Sequence, residues 1–214
     1  VTKLDPIQVY KAMFDGALGT SRRSWSTIRD AMTLLCIGVG LAPAFKMRFW
    51  NIGAEGQILI GGIITAGFMR ALGPSVPTPV LLTVMAAASL LGGCLWGMIP
   101  AVFKAQWNTN ETLFTLMMNY VAIQLTSYCV ALWENPAGSN SVGVINQQTK
   151  WGWFPKVFGL EYGLNVLLVL ALTIGMYIYL KYSKHGYEIS VVGDSENTAR
   201  YAGISVKKVT IRTM

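Results

Sequence analysis

Across residues 52–103 the sequence carries only two formal charges, Glu55 and Arg70, and across residues 112–133 it carries none. A helix rising about 1.5 Å per residue needs about 20 apolar residues to cross a hydrocarbon layer about 30 Å thick, and these runs are long enough to do so. The chain as a whole is 53% hydrophobic and 13% charged, where a soluble domain has about 25% charged residues. A soluble globular domain is therefore excluded. The net charge of +7 would suggest nucleic acid in a soluble protein. Here the basic residues flank apolar runs, as membrane orientation requires, and no nucleic-acid partner is expected.

Taken in order, the chain opens with Asp5-Pro6-Ile7-Gln8, which has the pattern of a helix start: a capping Asp, Pro in the first turn and Gln three residues after the cap. Ile7, Tyr10, Phe14 and Leu18 then recur at helical spacing until Gly19. Such a short amphipathic helix either lies along a membrane surface or packs on another part of the protein. Five spans are expected after it, at about 28–46, 52–72, 80–103, 113–133 and 162–182. Pro43 should kink or end the first. Residues 73–79 form a proline-rich turn between the second and third. Gly93 and Gly97, four apart in the third, would let another helix approach closely. Trp151, Trp153 and Phe154, in the long loop before the fifth, suit a membrane interface. The fold class is all-α: one polytopic helix bundle of about five spans, with a cytoplasmic segment at about 183–208.

The second span is unusual. It opens with Trp50-Asn51-Ile52-Gly53-Ala54-Glu55-Gly56-Gln57, placing three polar side chains and two glycines at the start of an apolar run. A carboxylate within a span costs about 2.5–3.5 kcal/mol on insertion scales and normally faces a bundle interior or an aqueous cavity. Asn51 and Glu55, four apart, would share a helical face. Asn51, Glu55, Gln57 and, from the fourth span, Asn119 are therefore the candidate substrate-path or broken-helix residues. Two blander readings stand beside this one: Glu55 as a polar flank at the membrane surface, and Asn119 as an interhelical hydrogen-bonding group.

Cys36, Cys94 and Cys129 each lie within an apolar run and read as small hydrophobes. His185 has no cysteine or carboxylate cluster beside it, so neither a metal site nor a cofactor is expected. Lys181, Lys184, Arg200, Lys207, Lys208 and Arg212 mark the last segment as cytoplasmic. Counting back puts the connectors near residues 46–48 and 104–111 on the same side. The amino-terminal stretch then falls outside, where Lys3, Lys11, Arg22, Arg23 and Arg29 run against the rule. Within the last segment, Asp194 or Ser195 can cap a helix of about two turns, and Gly203 supplies a left-handed exit. That helix should expose the small residues Ala199 and Ala202, ready to enter a groove on another protein; a simple structured loop is the alternative.

Three stretches resemble permease subunits of bacterial ABC importers for nucleosides and simple sugars, the ribose and branched-chain amino acid permease-like family. They are Phe49 through Gln57, Asn110-Glu111-Thr112-Leu113-Phe114-Thr115-Leu116-Met117-Met118-Asn119-Tyr120, and His185-Gly186-Tyr187 through Ile204. The bulky Trp50 departs from the small or aliphatic residue usual in the first motif. Members of the family are longer at both ends, so the chain is expected to be an internal fragment of a multi-pass protein of the bacterial plasma (inner) membrane. The resemblance implies that the protein is not itself an enzyme and has no catalytic residues. Its partners would be an ABC ATPase subunit, a second permease subunit (identical or not), an extracytoplasmic substrate-binding protein and membrane lipid. The ATPase would be engaged through a coupling loop containing Gly193, Asn197, Ala199, Arg200, Ala202 and Gly203. The competing function is an ion-coupled secondary transporter with Glu55 as its coupling carboxylate; a plain membrane scaffold would leave the polar opening of the second span without purpose.

Overall fold

The computed structural model describes residues 5–157, 159–160 and 162–214. Within them the chain is helical, with no strand and one isolated bridge between Val157 and Leu160. The helices are α1 (Pro6–Leu18), α2 (Ser21–Lys46), α3 (Ala54–Leu72), α4 (Thr78–Trp107), α5 (Glu111–Trp133), α6 (Gly163–Tyr182), α7 (Lys184–Asp194), α8 (Glu196–Tyr201) and α9 (Val206–Thr213). Four of them, α2, α4, α5 and α6, are long and apolar enough to cross a membrane. The expected span at 52–72 becomes α3, which falls outside that group; Glu55, Gln57, Arg70 and four glycines dilute its apolar length. The chain divides into two compact units, one of residues 1–40 and 155–177, the other of residues 41–154 and 178–214.

In the first unit the side chain of Asp5 accepts from the N–H of Ile7, and Pro6 occupies the first helical turn, where its missing donor costs nothing. The last carbonyls of a helix have no partner within it. At the end of α1 they are met by side chains of α2: Arg23 donates to the Asp15 oxygen at 3.0 Å, Ser24 to Leu18 at 3.1 Å and Thr27 to Ala17 at 2.9 Å. This bracket holds α1 against the start of α2.

In the second unit Pro43 lies inside α2 without ending it. The helix ends three residues later, through Arg48 in the left-handed conformation at φ 59°. Arg48 N–H bonds the Phe45 oxygen and Phe49 N–H bonds the Ala44 oxygen, each at 2.9 Å. That is the paired pattern of a Schellman exit, completed by apolar contact across the turn, and Ala44 and Phe49 are both buried in one cluster. The chain then runs through residues 47–53 into α3, which packs most extensively on α4 and next on α5.

Small residues set the spacing of these packings. Gly61 faces Ser89, Gly93 faces the Gln57 backbone, and Gly97 lies directly against the Gln57 side chain. Bulk is directed outward: Leu90, Leu91 and Leu95 of α4 and Met117, Tyr120 and Tyr128 of α5 are exposed, as a surface bathed in acyl chains permits.

The two ends of this unit differ. At one end Arg70 donates to the Trp133 oxygen at 3.0 Å and Asn146 to the Met69 oxygen at 3.3 Å. At the other end the exit of α2, the α4–α5 connector and the helices α7–α9 come together. Lys104 and Glu111 form an ion pair of 2.9 Å across that connector, and Ala44, Met47 and Phe49 share one buried cluster with Ile189, Val192, Ala199 and Val209. The stretch expected as a loop from about 183 begins instead with α7, capped by Ser183 through the Gly186 N–H. His185, Ile189 and Val192 fall on one face of it, and all three are buried.

The approach of α7 to α2 is close enough that a Cβ at Gly193 would collide with the Lys46 carbonyl, a backbone atom that cannot swing away. A Cβ at Gly175 in α6 would meet nothing. Gly193→Val should therefore destabilise the full-length protein by about 1–3 kcal/mol, and Gly175→Val should leave it unchanged. Thermal midpoints of the two detergent-solubilised variants measure this directly; equal midpoints would show that the two helices do not meet there.

Candidate functional site

The polar opening of α3 is held by α5. A helix begins with four N–H groups that have no partner within the helix, and in a membrane bundle an orphaned one is costly. Asn119, buried in α5, accepts from the Gly56 N–H at 2.8 Å and donates to the Ile52 oxygen at 2.9 Å. One turn earlier on the same face, Thr115 accepts from the Ile52 N–H at 3.2 Å. Asn51 folds back to accept from the Gly53 N–H at 2.8 Å. The non-helical segment leading into α3 is thus closed by three side chains, and two of them belong to another helix.

Glycine is what lets these groups reach the backbone. A Cβ at Gly53 would stand 3.0 Å from Thr115 Cβ, and one at Gly56 would stand 2.9 Å from Asn119 Oδ1 and 3.1 Å from Trp96 Nε1. Both are tighter than side chains tolerate without shifting.

Each expected residue can now be located. Asn51 and Asn119 are buried around this junction, and Asn119 is an interhelical hydrogen-bonding group, the blander of its two readings. Asn51 and Glu55 do not share a helical face: α3 begins only at Ala54, so Asn51 precedes the helix and closes the turn before it through the Gly53 N–H. Glu55 is exposed, and among the described residues it has no hydrogen bond or ion pair. In the first turn of α3 its exposed carboxylate faces the positive end of the helix dipole. Gln57 is half-buried and packs on Gly97.

The segment expected to engage an ATPase divides in two. Ala199 is fully enclosed in the cluster of Met47, Phe49, Ile189 and Val192, and Gly193 is buried against Lys46. The expectation that Ala199 is exposed is overturned: its small size serves packing inside the chain, because the helix face that carries it turns inward. Asn197, Arg200, Ala202 and Gly203 lie on the outside. Arg200 reaches Glu196 at 3.4 Å. Gly203, at φ +75°, ends α8 with paired bonds from its own N–H to Arg200 and from the Ile204 N–H to Ala199.

Sequence reasoning missed three features. Thr115 carried a signal, standing four residues before Asn119. Tyr201, 94% exposed at the end of α8, had none to set it apart. The third is a cleft of about 280 Å³ between the α2 exit, the α4–α5 connector and the α7–α8 turn, lined by Arg48, Lys104, Glu111, Asp194 and Glu196 among others. It joins segments distant in sequence. His185, also buried, lies 3.3 Å from both Glu188 and Thr213, a polar link between α7 and α9. No cluster suited to a metal ion occurs among the described residues.

If Asn119 and Thr115 close the entry to α3, removing them orphans a buried N–H at Gly56 and part-buried groups at Ile52, up to about 1–3 kcal/mol for the buried one. Asn119→Leu should therefore destabilise the protein most and Thr115→Val less. Ser127→Ala should stay within about 0.5 kcal/mol, because that hydroxyl bonds only its own helix, at Ile123. Thermal unfolding in detergent ranks the three, and an Asn119→Leu variant as stable as Ser127→Ala would refute the junction.

Comparison with known proteins places this architecture. Residues 25–214 match the family described as the branched-chain amino acid transport system / permease component. A guanosine ABC transporter permease protein of Bacillus subtilis is 30% identical over 96% of this chain and 59% of its own length. A glucose ABC transporter permease protein of Haloferax volcanii is 29% identical over 94% of this chain and 55% of its own. A nucleoside ABC transporter permease protein of Lactococcus lactis is 27% identical over 98% and 60%. The chain spans less than two thirds of the length of these relatives. No solved structure matches it. Its apolar helices and these likenesses make it a multi-pass protein of the plasma membrane. The match over residues 25–214 settles its kinship: the chain belongs to the family of branched-chain amino acid transport system permease components.

Proposed function

We propose that this chain is part of the membrane-spanning subunit of an ATP-driven importer, carrying a nucleoside or simple-sugar-like solute into the cell. ATP hydrolysis takes place on a separate ATPase subunit, a second permease subunit completes the pathway, and an extracytoplasmic binding protein delivers the solute. ATP-driven closure of the ATPase subunits shifts the permease pair between outward- and inward-open states. The likeness to nucleoside and glucose ABC transporter permeases supports the solute class.

The observation that carries the reading is the presentation of α8. Its inner face is seated on the cluster of Met47, Phe49 and Val192, while Asn197, Arg200, Tyr201 and Ala202 point away from the chain. Such a short helix on a firm base can enter a partner's groove and pass force back into the bundle. The basic residues at this end, including Arg48, Lys104, Lys184, Lys207 and Lys208, support a cytoplasmic position, where an ATPase would dock. Met47 and Phe49 belong to the α8 base, and Asn51, only two residues further on, belongs to the α3 junction. A push on α8 would therefore bear on the entry to α3.

Because Ala199 is enclosed, a bulky residue there would disturb the chain itself, so the docking test belongs at exposed positions. Ala202→Trp and Tyr201→Asp in the full-length permease are expected to reach the membrane at normal levels, to lose the co-purifying ATPase and to lose uptake. Normal ATPase recovery with normal uptake in both variants would remove α8 from the mechanism and revive the ion-coupled carrier.

A further inference from the structure

We propose that α1 is an interfacial anchor, lying in the headgroup layer of an anionic membrane with its apolar face turned to the acyl chains. No residue of α1 is buried. Ile7, Tyr10, Phe14 and Leu18 form one narrow stripe at helical spacing, and all four are exposed, from 56% at Leu18 to 76% at Ile7. An isolated apolar side chain on a surface needs no explanation; a continuous aromatic and aliphatic stripe implies a covering phase.

The geometry of α2 says which phase that is. With 26 residues it is about 39 Å long at 1.5 Å per residue, longer than the hydrocarbon layer of about 30 Å. Its uninterrupted apolar stretch begins at Ala31, after the ion pair of Arg29 and Asp30, so the polar turns from Ser21 to Asp30 extend through the headgroup layer. Aromatic residues mark the same height: Trp25 lies one turn before Arg29, and Arg29 sits 5.2 Å from the Tyr162 ring, as in the belts that line membrane interfaces. The bracket of Arg23, Ser24 and Thr27 on the α1 carbonyls then holds α1 at that level and stops it swinging out into water. Lys11, on the edge of the apolar stripe, and Arg22, exposed beside the turn, are placed to meet lipid phosphates. The stripe with cations on its border is the pattern of an in-plane membrane helix.

The test uses the full-length protein with Cys36, Cys94 and Cys129 replaced, reconstituted in vesicles containing phosphatidylglycerol. A nitroxide is attached at Phe14→Cys on the stripe or at Ala12→Cys on the opposite side. Oxygen, which concentrates in acyl chains, is expected to relax the label at position 14 more than a water-soluble nickel chelate does, and the order is expected to reverse at position 12. Strong nickel access at both positions would place α1 in water and overturn the proposal. Weak access of both reagents at position 14 would mean that protein covers the stripe, which overturns it equally. Neither readout depends on ATPase binding or on the solute.

Discussion

The segment leading into α3 is a stretch of polypeptide that is not helical yet lies inside a membrane protein, and the helices around it are arranged to make that tolerable. Backbone groups within a bilayer have no water to turn to. Here Asn119 satisfies both a donor and an acceptor of that stretch, Thr115 a second donor and Asn51 a third. The bonds run between segments more than sixty residues apart, so the junction forms only when α5 stands against α3. That in turn requires glycine at positions 53 and 56, where side chains would hold the helices apart.

A second constraint lies a few residues upstream. The left-handed exit at Arg48 turns the chain so that Met47 and Phe49 enter the cluster beneath α7 and α8. Residues 47–56 therefore belong to two structures at once: a base for the outward-facing α8 and an entry fastened to α5. Ridge-and-groove packing elsewhere tolerates sliding, but a segment fastened at both ends by hydrogen bonds and buried aromatic packing does not stretch.

The expected helices at 80–103, 113–133 and 162–182 correspond to α4, α5 and α6 with ends shifted by a few residues, because uninterrupted apolar runs in a membrane protein leave the backbone little but a helix. The Asp5 cap and the Gly203 exit were also legible, since both depend on a single residue and its immediate neighbours. The site was legible in part. Asn51 and Asn119 stood out because polar residues are rare in such runs, yet their roles could not be read: a buried Asn that lines a pathway and one that ties two helices together have the same sequence signature. The exposure of Glu55 was not legible either, because burial is a property that periodicity does not reveal.

By itself the sequence determined that this is a multi-pass helical membrane protein, and it marked the residues at 49–57, 110–120 and 185–204 as its unusual parts. The bilayer's demand for apolar length and internal hydrogen bonding is written directly into composition and local order, so those conclusions need no fold. Only the tertiary structure decided what the unusual parts do to one another. It turned Ala199 inward and left Tyr201 outside, it made Thr115 a partner of Ile52, and it set the α2 exit against α7 at Gly193. Each of these depends on which face of a helix meets which neighbour. Helix pairing across long stretches of chain is set by the sum of many small contacts, not by any residue that can be read alone.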